Sequence, residues 1–159
     1  MKPKLRLGLL ILLIVIGNCY LDLSKQLTAQ QILDLANQDR RKNGLSELTL
    51  NPLLNLAALA KAHDMISKDY FAHISPEGTK PWYFFQSLGY NYIYAGENLA
   101  SGFTDPSELE NSWMASTDHR ANILSPFYSD LGLAVVQEGK KTLVVEFFGS
   151  QTNLVTLRQ

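Results

Sequence analysis

Three histidines carry most of the chemistry that this chain's residue types allow. Imidazole nitrogens ligate metals and move protons near neutral pH. His63 stands in helix-like text, KAHDM (61–65), without the partner at i+4 that a helical metal pair needs. An exposed or helix-packing side chain is the ordinary explanation there. His73 and His119 lie in polar, turn-prone text, HISPEG (73–78) and STDHRAN (116–122), and functional residues concentrate in such loops. There is no HExxH pair, no glycine-rich phosphate loop and no GxSxG elbow. The single cysteine, Cys19, excludes an intramolecular disulfide and argues against a cysteine-built metal site. On residue types alone the two loop histidines fit a structural role as well as a functional one, and no reaction follows.

The elements that must position them read as helices first and strands last. Thr28 with Gln31 forms a capping box that opens an amphipathic helix, QQILDLANQDRRKNG (30–44). Ile32, Leu35 and Ala36 share its inner face, and Gly44 sits where a C-cap belongs. Asn51-Pro52 starts a second helix through LLNLAALAKAHDMI (53–66). Pro81 starts a short helix through Leu88, and Asp105-Pro106 with Glu108 opens another through Met114. Tyr90, Tyr92 and Tyr94 alternate as if along one face of a strand. LGLAVVQ (131–137) and TLVVEFFGS (142–150) flank a turn at Glu138–Lys141, which predicts a hairpin. Within it Glu146 alternates with Val144 and Phe148 and reads as a paired or edge carboxylate. This order favours α+β layers over a parallel βαβ sheet.

Trp82, Tyr83, Phe84, Phe85, Tyr90, Tyr92 and Tyr94 crowd one stretch. They are expected to fill the core between layers, with one or two tyrosines left as ligand contacts. Ser75 reads as a turn hydroxyl, Arg120 as a structural cation, and Asn98 as a side chain that fixes its loop by bonding to backbone.

The chain has 159 residues, 46% hydrophobic and 18% charged, which suits one packed domain. A formal net charge of −1 gives no footprint for nucleic acid. Lys2, Lys4 and Arg6 precede the apolar run LGLLILLIVIG (7–17), the pattern of an export signal. Its length falls short of the roughly 20 apolar residues of a membrane-spanning helix. Residues 1–20 therefore read as a signal peptide or short membrane anchor that places the rest outside the cytoplasm. Ile16-Gly17-Asn18-Cys19 loosely resembles a lipobox, from which Asn18 departs. The N-terminus is thus expected to be membrane-inserted or lipid-anchored, before or instead of cleavage. A linker at 21–27, a domain at 28–150 and a C-terminal tail at 151–159 complete the chain. Cleavage before Cys19 leaves 11 basic against 15 acidic residues, a mature charge of −4.

The order FAHISPEG (71–78), GENLASG (96–102), SWMASTDHRANIL (112–124) and LGLAVV (131–136) resembles the CAP superfamily. That group contains cysteine-rich secretory, antigen-five and pathogenesis-related proteins. The likeness is greatest to its disulfide-free bacterial members, the SCP-like extracellular proteins. ILDLANQDRRKNGL (32–45), with Asn37 and Arg40, and AKAHDM (60–65) extend the resemblance over about residues 30–150.

The resemblance implies a three-layer α-β-α sandwich with a surface cleft lined by two histidines and two acidic residues able to hold a divalent metal. The first histidine is then His73, the glutamate of the GEN motif is Glu97, and the second histidine is His119. The fourth group, a glutamate three residues past a helix tryptophan, falls on Ser116 after Trp113. His73, Glu97, His119, Asn98 and Ser116 are therefore the expected cleft residues. His73, Glu97 and His119 are the expected metal ligands, and two imidazoles with one carboxylate suit zinc with an open position for water. Without the second carboxylate the expectation is a binding module for a small-molecule, lipid or protein ligand. The alternative is a zinc-assisted, peptidase-like hydrolase with Glu97 as base or ligand; a third possibility is an interaction protein with a vestigial cleft.

Overall fold

The computed structural model describes residues 27–139 and 141–151. The expected address at 1–20, the linker up to residue 26 and the tail beyond 151 lie outside the described residues.

Helix α1 (Ala29–Lys42) opens on the expected capping box. Thr28 Oγ1 accepts from the Gln31 amide at 3.3 Å, and Gln31 Oε1 accepts from the Thr28 amide at 3.0 Å. Its buried stripe is Ile32, Leu33, Ala36, Asn37 and Arg40, while Leu35 is only half-buried. Strand β1 (Thr49–Leu50) has two residues, too few for any sequence periodicity to announce. Helix α2 (Pro52–Ser67) starts where Asn51 Oδ1 accepts from the Leu53 and Leu54 amides at 3.0 and 3.3 Å. Helix α3 (Pro81–Ser87) is short. Strand β2 (Tyr92–Ser101) runs straight through the GEN motif, so Glu97 and Asn98 sit on a strand and not on a loop. Helix α4 (Pro106–Ala115) is capped by Asp105 Oδ1, which accepts from the Ser107 and Glu108 amides at 2.8 and 3.0 Å. Helix α5 (Thr117–Ile123) follows at once and carries His119, correcting the loop placement read from its polar text. Strands β3 (Asp130–Glu138) and β4 (Lys141–Gln151) form the expected hairpin, turning at Gly139 with φ +57°.

The sheet order is β1-β3-β4-β2, with β1 parallel to β3 and the other pairs antiparallel. Alternation along the strands sends residues to two cores. Leu131, Leu133, Val144 and Phe148 pack with Ile32, Ala36, Leu109 and Trp113 on the α1–α4–α5 side. Leu99, Ala134, Val145 and Phe147 pack with Leu54, Ala58, Met65 and Phe85 on the α2–α3 side. The chain thus folds as an α+β, three-layer α-β-α sandwich. Strand β4 fully buries Val144, Val145, Phe147 and Phe148, each contributing about 1.5–3 kcal/mol relative to exposure. Because β4 is central, Glu146 is no edge carboxylate. Gly132 sets the α2 layer: a Cβ there would fall 2.3 Å from the carbonyl carbon of Leu54, so helix and sheet touch backbone to backbone.

The aromatic stretch divides. Phe84, Phe85 and Tyr90 are core, whereas Tyr83 and Tyr94 are exposed. A register shift between Tyr92 and Tyr94 breaks the expected alternation, and Tyr94 stacks on Phe127 with centroids 4.8 Å apart. No helix among the described residues is long and apolar enough to cross a membrane.

Candidate functional site: a histidine–glutamate cleft

His73 rides on the turn that follows α2, and a buried cation holds that turn. Lys61, fully buried on α2, donates from Nζ to the Ala72 and His73 carbonyls, both at 2.9 Å, and to the Tyr70 hydroxyl at 3.1 Å. Tyr70 in turn donates to Asp64 Oδ2 at 2.6 Å. Burial lowers the Lys61 pKa, and the nearby Glu97 and Asp64 charges oppose that fall. Farther along, Ser75 closes the turn: its Oγ donates to Glu77 Oε2 at 2.9 Å and accepts from the Thr79 amide at 3.1 Å. It is a turn hydroxyl, as its sequence context suggests.

Strand β2 then places two polar residues back to back. Glu97 points to the α2–α3 side, where its Oε1 is hydrogen-bonded to His73 Nδ1. Its Oε2 is buried without a partner among the described residues. Burial pushes the Glu97 carboxyl up to about 7, against the opposing pull of His73 and Lys61. His73, with a side chain 58% exposed, forms the outer half of this pair.

Asn98 points to the opposite side. Its Nδ2 donates to Glu146 Oε2 at 2.9 Å and to the His119 carbonyl at 3.3 Å. Its Oδ1 accepts from Asn122 Nδ2 at 2.9 Å, and Asn122 also donates to the Glu97 carbonyl at 3.1 Å. Asn98 therefore ties α5 to the sheet instead of fixing a loop. His119 is half-buried, 6.4 Å from the Trp113 ring, and burial followed by the His73 charge lowers its pKa. Ser116 is the hinge residue between α4 and α5, and its side chain caps neither helix. Arg120 donates to the Met114 carbonyl at 2.9 Å, a structural tie across that hinge.

A cleft of about 490 Å³ opens over the pair, walled by His73, Glu97, Lys80, Trp82, Gly96 and Asn122. A Cβ on Gly96 would meet the Tyr128 hydroxyl at 2.7 Å and Asn122 Oδ1 at 2.8 Å, so glycine lets Asn122 reach the wall. Of the five expected cleft residues, His73 and Glu97 line this space, Asn98 lies beneath it, and His119 and Ser116 stand beyond its lining. Among the described residues no three His, Cys, Asp or Glu groups are gathered closely enough to hold a metal ion. As arranged, the donor set does not fit the expected three-ligand zinc site.

Lys61, Lys80 and Asn122 were not singled out from sequence. Lys61 and Asn122 lie within two of the motifs, AKAHDM and DHRANIL, but nothing in those strings marks them as inward-facing.

Comparison with known proteins decides the family. The cysteine-rich secretory protein family, CAP, matches residues 33–150. This chain belongs to the CAP family. The Bacillus subtilis protein YkwD is 39% identical over 110 residues, 69% of this chain and 43% of that protein. A crystal structure of an extracellular SCP-domain protein from Bacillus anthracis superposes with TM-score 0.70 at 28% identity, covering 77% of this chain and 40% of that one. An outer surface protein of Borrelia burgdorferi shares the fold with TM-score 0.71 at 20% identity, covering 77% of this chain and 91% of the other. The chain spans less than half the length of the two Bacillus proteins. As a CAP domain it has the family's sandwich, and His73, Glu97 and Asn122 line a cleft on it.

Proposed function

We propose that this CAP-domain protein works outside the cytoplasm as a binding module that takes an amphipathic small-molecule or lipid ligand in the His73–Glu97 cleft. The observation that carries the reading is Glu97: a buried carboxyl, raised to about 7, with one oxygen free of any described partner at the cleft wall. Such a group accepts or donates a hydrogen bond to whatever enters. Lys80 adds a positive charge, while Trp82, Pro81, Ala95 and Ile74 offer apolar surface for the rest of the ligand. The extracytoplasmic placement rests on the N-terminal basic and apolar segment and on the extracellular and outer-surface relatives.

Turnover has less support. The fourth position is Ser116, which brings no second carboxylate to the cleft. Zinc would require His119 to join a pair whose members already bond each other.

Binding of a medium-chain fatty acid to the full-length chain, followed by calorimetry, tests the reading. Glu97→Gln and Trp82→Ala are expected to weaken binding at least about tenfold, the effect of one lost polar or aromatic contact. Lys42→Ala, remote from the cleft, should not. Equal affinity in all four proteins overturns the cleft assignment for this ligand class. Zinc-dependent peptide or ester hydrolysis abolished by Glu97→Gln would favour the hydrolase.

A further inference from the structure

The α1–α4–α5 face of the sheet holds acidic groups that the cleft does not use. Glu146 is fully buried in the middle of β4, on the side of Val144 and Phe148. Glu110 is 3% exposed on α4, beside buried Leu109 and three residues before buried Trp113, so it projects into the same layer. Glu146 Oε2 accepts from Asn98, but its Oε1 and both oxygens of Glu110 are buried without a described partner.

Among the described residues no cation bonds to either carboxyl; the Asp39 charge on α1 adds to the rise at Glu110 and the Lys42 charge opposes it. From α1, Lys42 is bound to Asp39 at 2.7 Å and its side chain is 61% exposed. The buried Arg40 guanidinium is directed at the carbonyls of Ser46, Ile123, Ser125 and Tyr128. From β2 comes the Asn98 amide, from β3 the apolar Leu133 opposite Glu146, and from α5 the His119 carbonyl and the Asn122 amide, both through Asn98. An unpaired carboxylate inside a protein costs several kcal/mol. Calcium wants about 6–8 oxygen ligands, more than two carboxyls and one amide already engaged elsewhere can offer. A proton needs only one oxygen, and it turns an orphaned acceptor into a donor.

We propose that Glu110 and Glu146 form a buried proton-holding pair whose ionisation loosens α4 and α5 and thereby moves His119 and the cleft wall at Asn122. The route is physical: Glu146 to Asn98, then Asn98 to the His119 carbonyl and to Asn122, which borders the cleft. The inference stands apart from the identity of any ligand. Burial raises both carboxyls, Glu110 to about 7 and Glu146 well above the ordinary 4.5, with the Glu110 charge adding to the rise at Glu146. The unfolded chain releases these protons near 4.5 while the native state retains them. Stability is therefore fully present below that pH and is lost as pH rises through about 7.

Urea unfolding of the full-length chain from pH 5 to pH 8.5 tests the pair, with Glu110→Gln, Glu146→Gln and the double variant in parallel. The unfolding constant of the wild type is expected to rise by up to about tenfold per pH unit for each retained proton. The double variant should flatten that rise. Infrared spectra should show a protonated carboxylic acid in the wild type near neutral pH that each substitution diminishes. The amide NMR signals of His119 and Asn122 should move with pH more in the wild type than in Glu146→Gln. The same pH slope in wild type and double variant overturns the proposal. So does the absence of any protonated carboxyl in the wild type above pH about 6, a reading that needs no variant to fold. An unchanged His119 and Asn122 response in Glu146→Gln overturns the link to the cleft.

Discussion

Glu97 on β2 and Glu146 on β4 are near neighbours, since Asn98 pairs with Glu146 and Glu97 with Phe147, yet their side chains leave the sheet on opposite faces. On the α2–α3 face the carboxyl meets an imidazole, feels a buried ammonium and borders a cleft. On the α1–α4–α5 face it meets one amide and a second acid. That second face does own a buried cation, Arg40, but its guanidinium is aimed wholly at backbone carbonyls. The difference shows that burial alone does not make a site. The face with a cation beside its acid and an opening to solvent is equipped to receive a ligand, whereas the closed face can only hold or release protons.

The largest effect that would test this contrast is at Arg40. Its replacement by alanine strips donors from the Ser46 carbonyl, in the loop after α1, and from three carbonyls at the end of α5 and in the loop that follows it. A loss of at least about 3 kcal/mol is expected in urea unfolding, and a mild effect would mean that the closed face tolerates unpaired polar groups. Next comes Lys61→Met, which removes the ammonium from two carbonyls and a hydroxyl under His73. About 2–3 kcal/mol of destabilisation is expected, together with faster hydrogen exchange in residues 70–78; unchanged exchange would detach Lys61 from the turn. Asn98→Ala cuts the tie shared by both faces and should cost about 1–2 kcal/mol, with the His119 and Asn122 amide signals shifting in NMR spectra. Smallest on stability is His73→Ala, below about 1 kcal/mol because the ring is mostly exposed. Its effect should appear instead as lost fatty-acid binding.

Much of the scaffold was legible because its helix starts are chemical: Thr28 with Gln31, Asn51-Pro52 and Asp105-Pro106 all cap helices as read. Strand β1 was not, because two residues carry no period, and its pairing depends on β3, about 80 positions away. The motif order pointed to His73 and Glu97, but no spacing rule could show that Asn98 faces away from its neighbour toward Glu146. Polar text around His119 suggested a loop, yet Thr117–Ile123 is helical between the hinge at Ser116 and the Arg40 contacts at its far end. Glu110 went unnoticed because a glutamate in an amphipathic helix is ordinarily solvated. Its position beside Leu109 and one turn before Trp113 was the available clue.

The placement of β4 bears on when this molecule can exist at all. Among the described residues β2 pairs only with β4, and β3 reaches β2 only through it. Yet residues 141–151 follow every element that they join. A chain emerging from the ribosome therefore carries the five helices and first three strands of the described residues with no finished sheet to settle on. Until that last described strand is released, β2 and β3 have no shared partner, and the two layers of helices have no closed sheet to pack against.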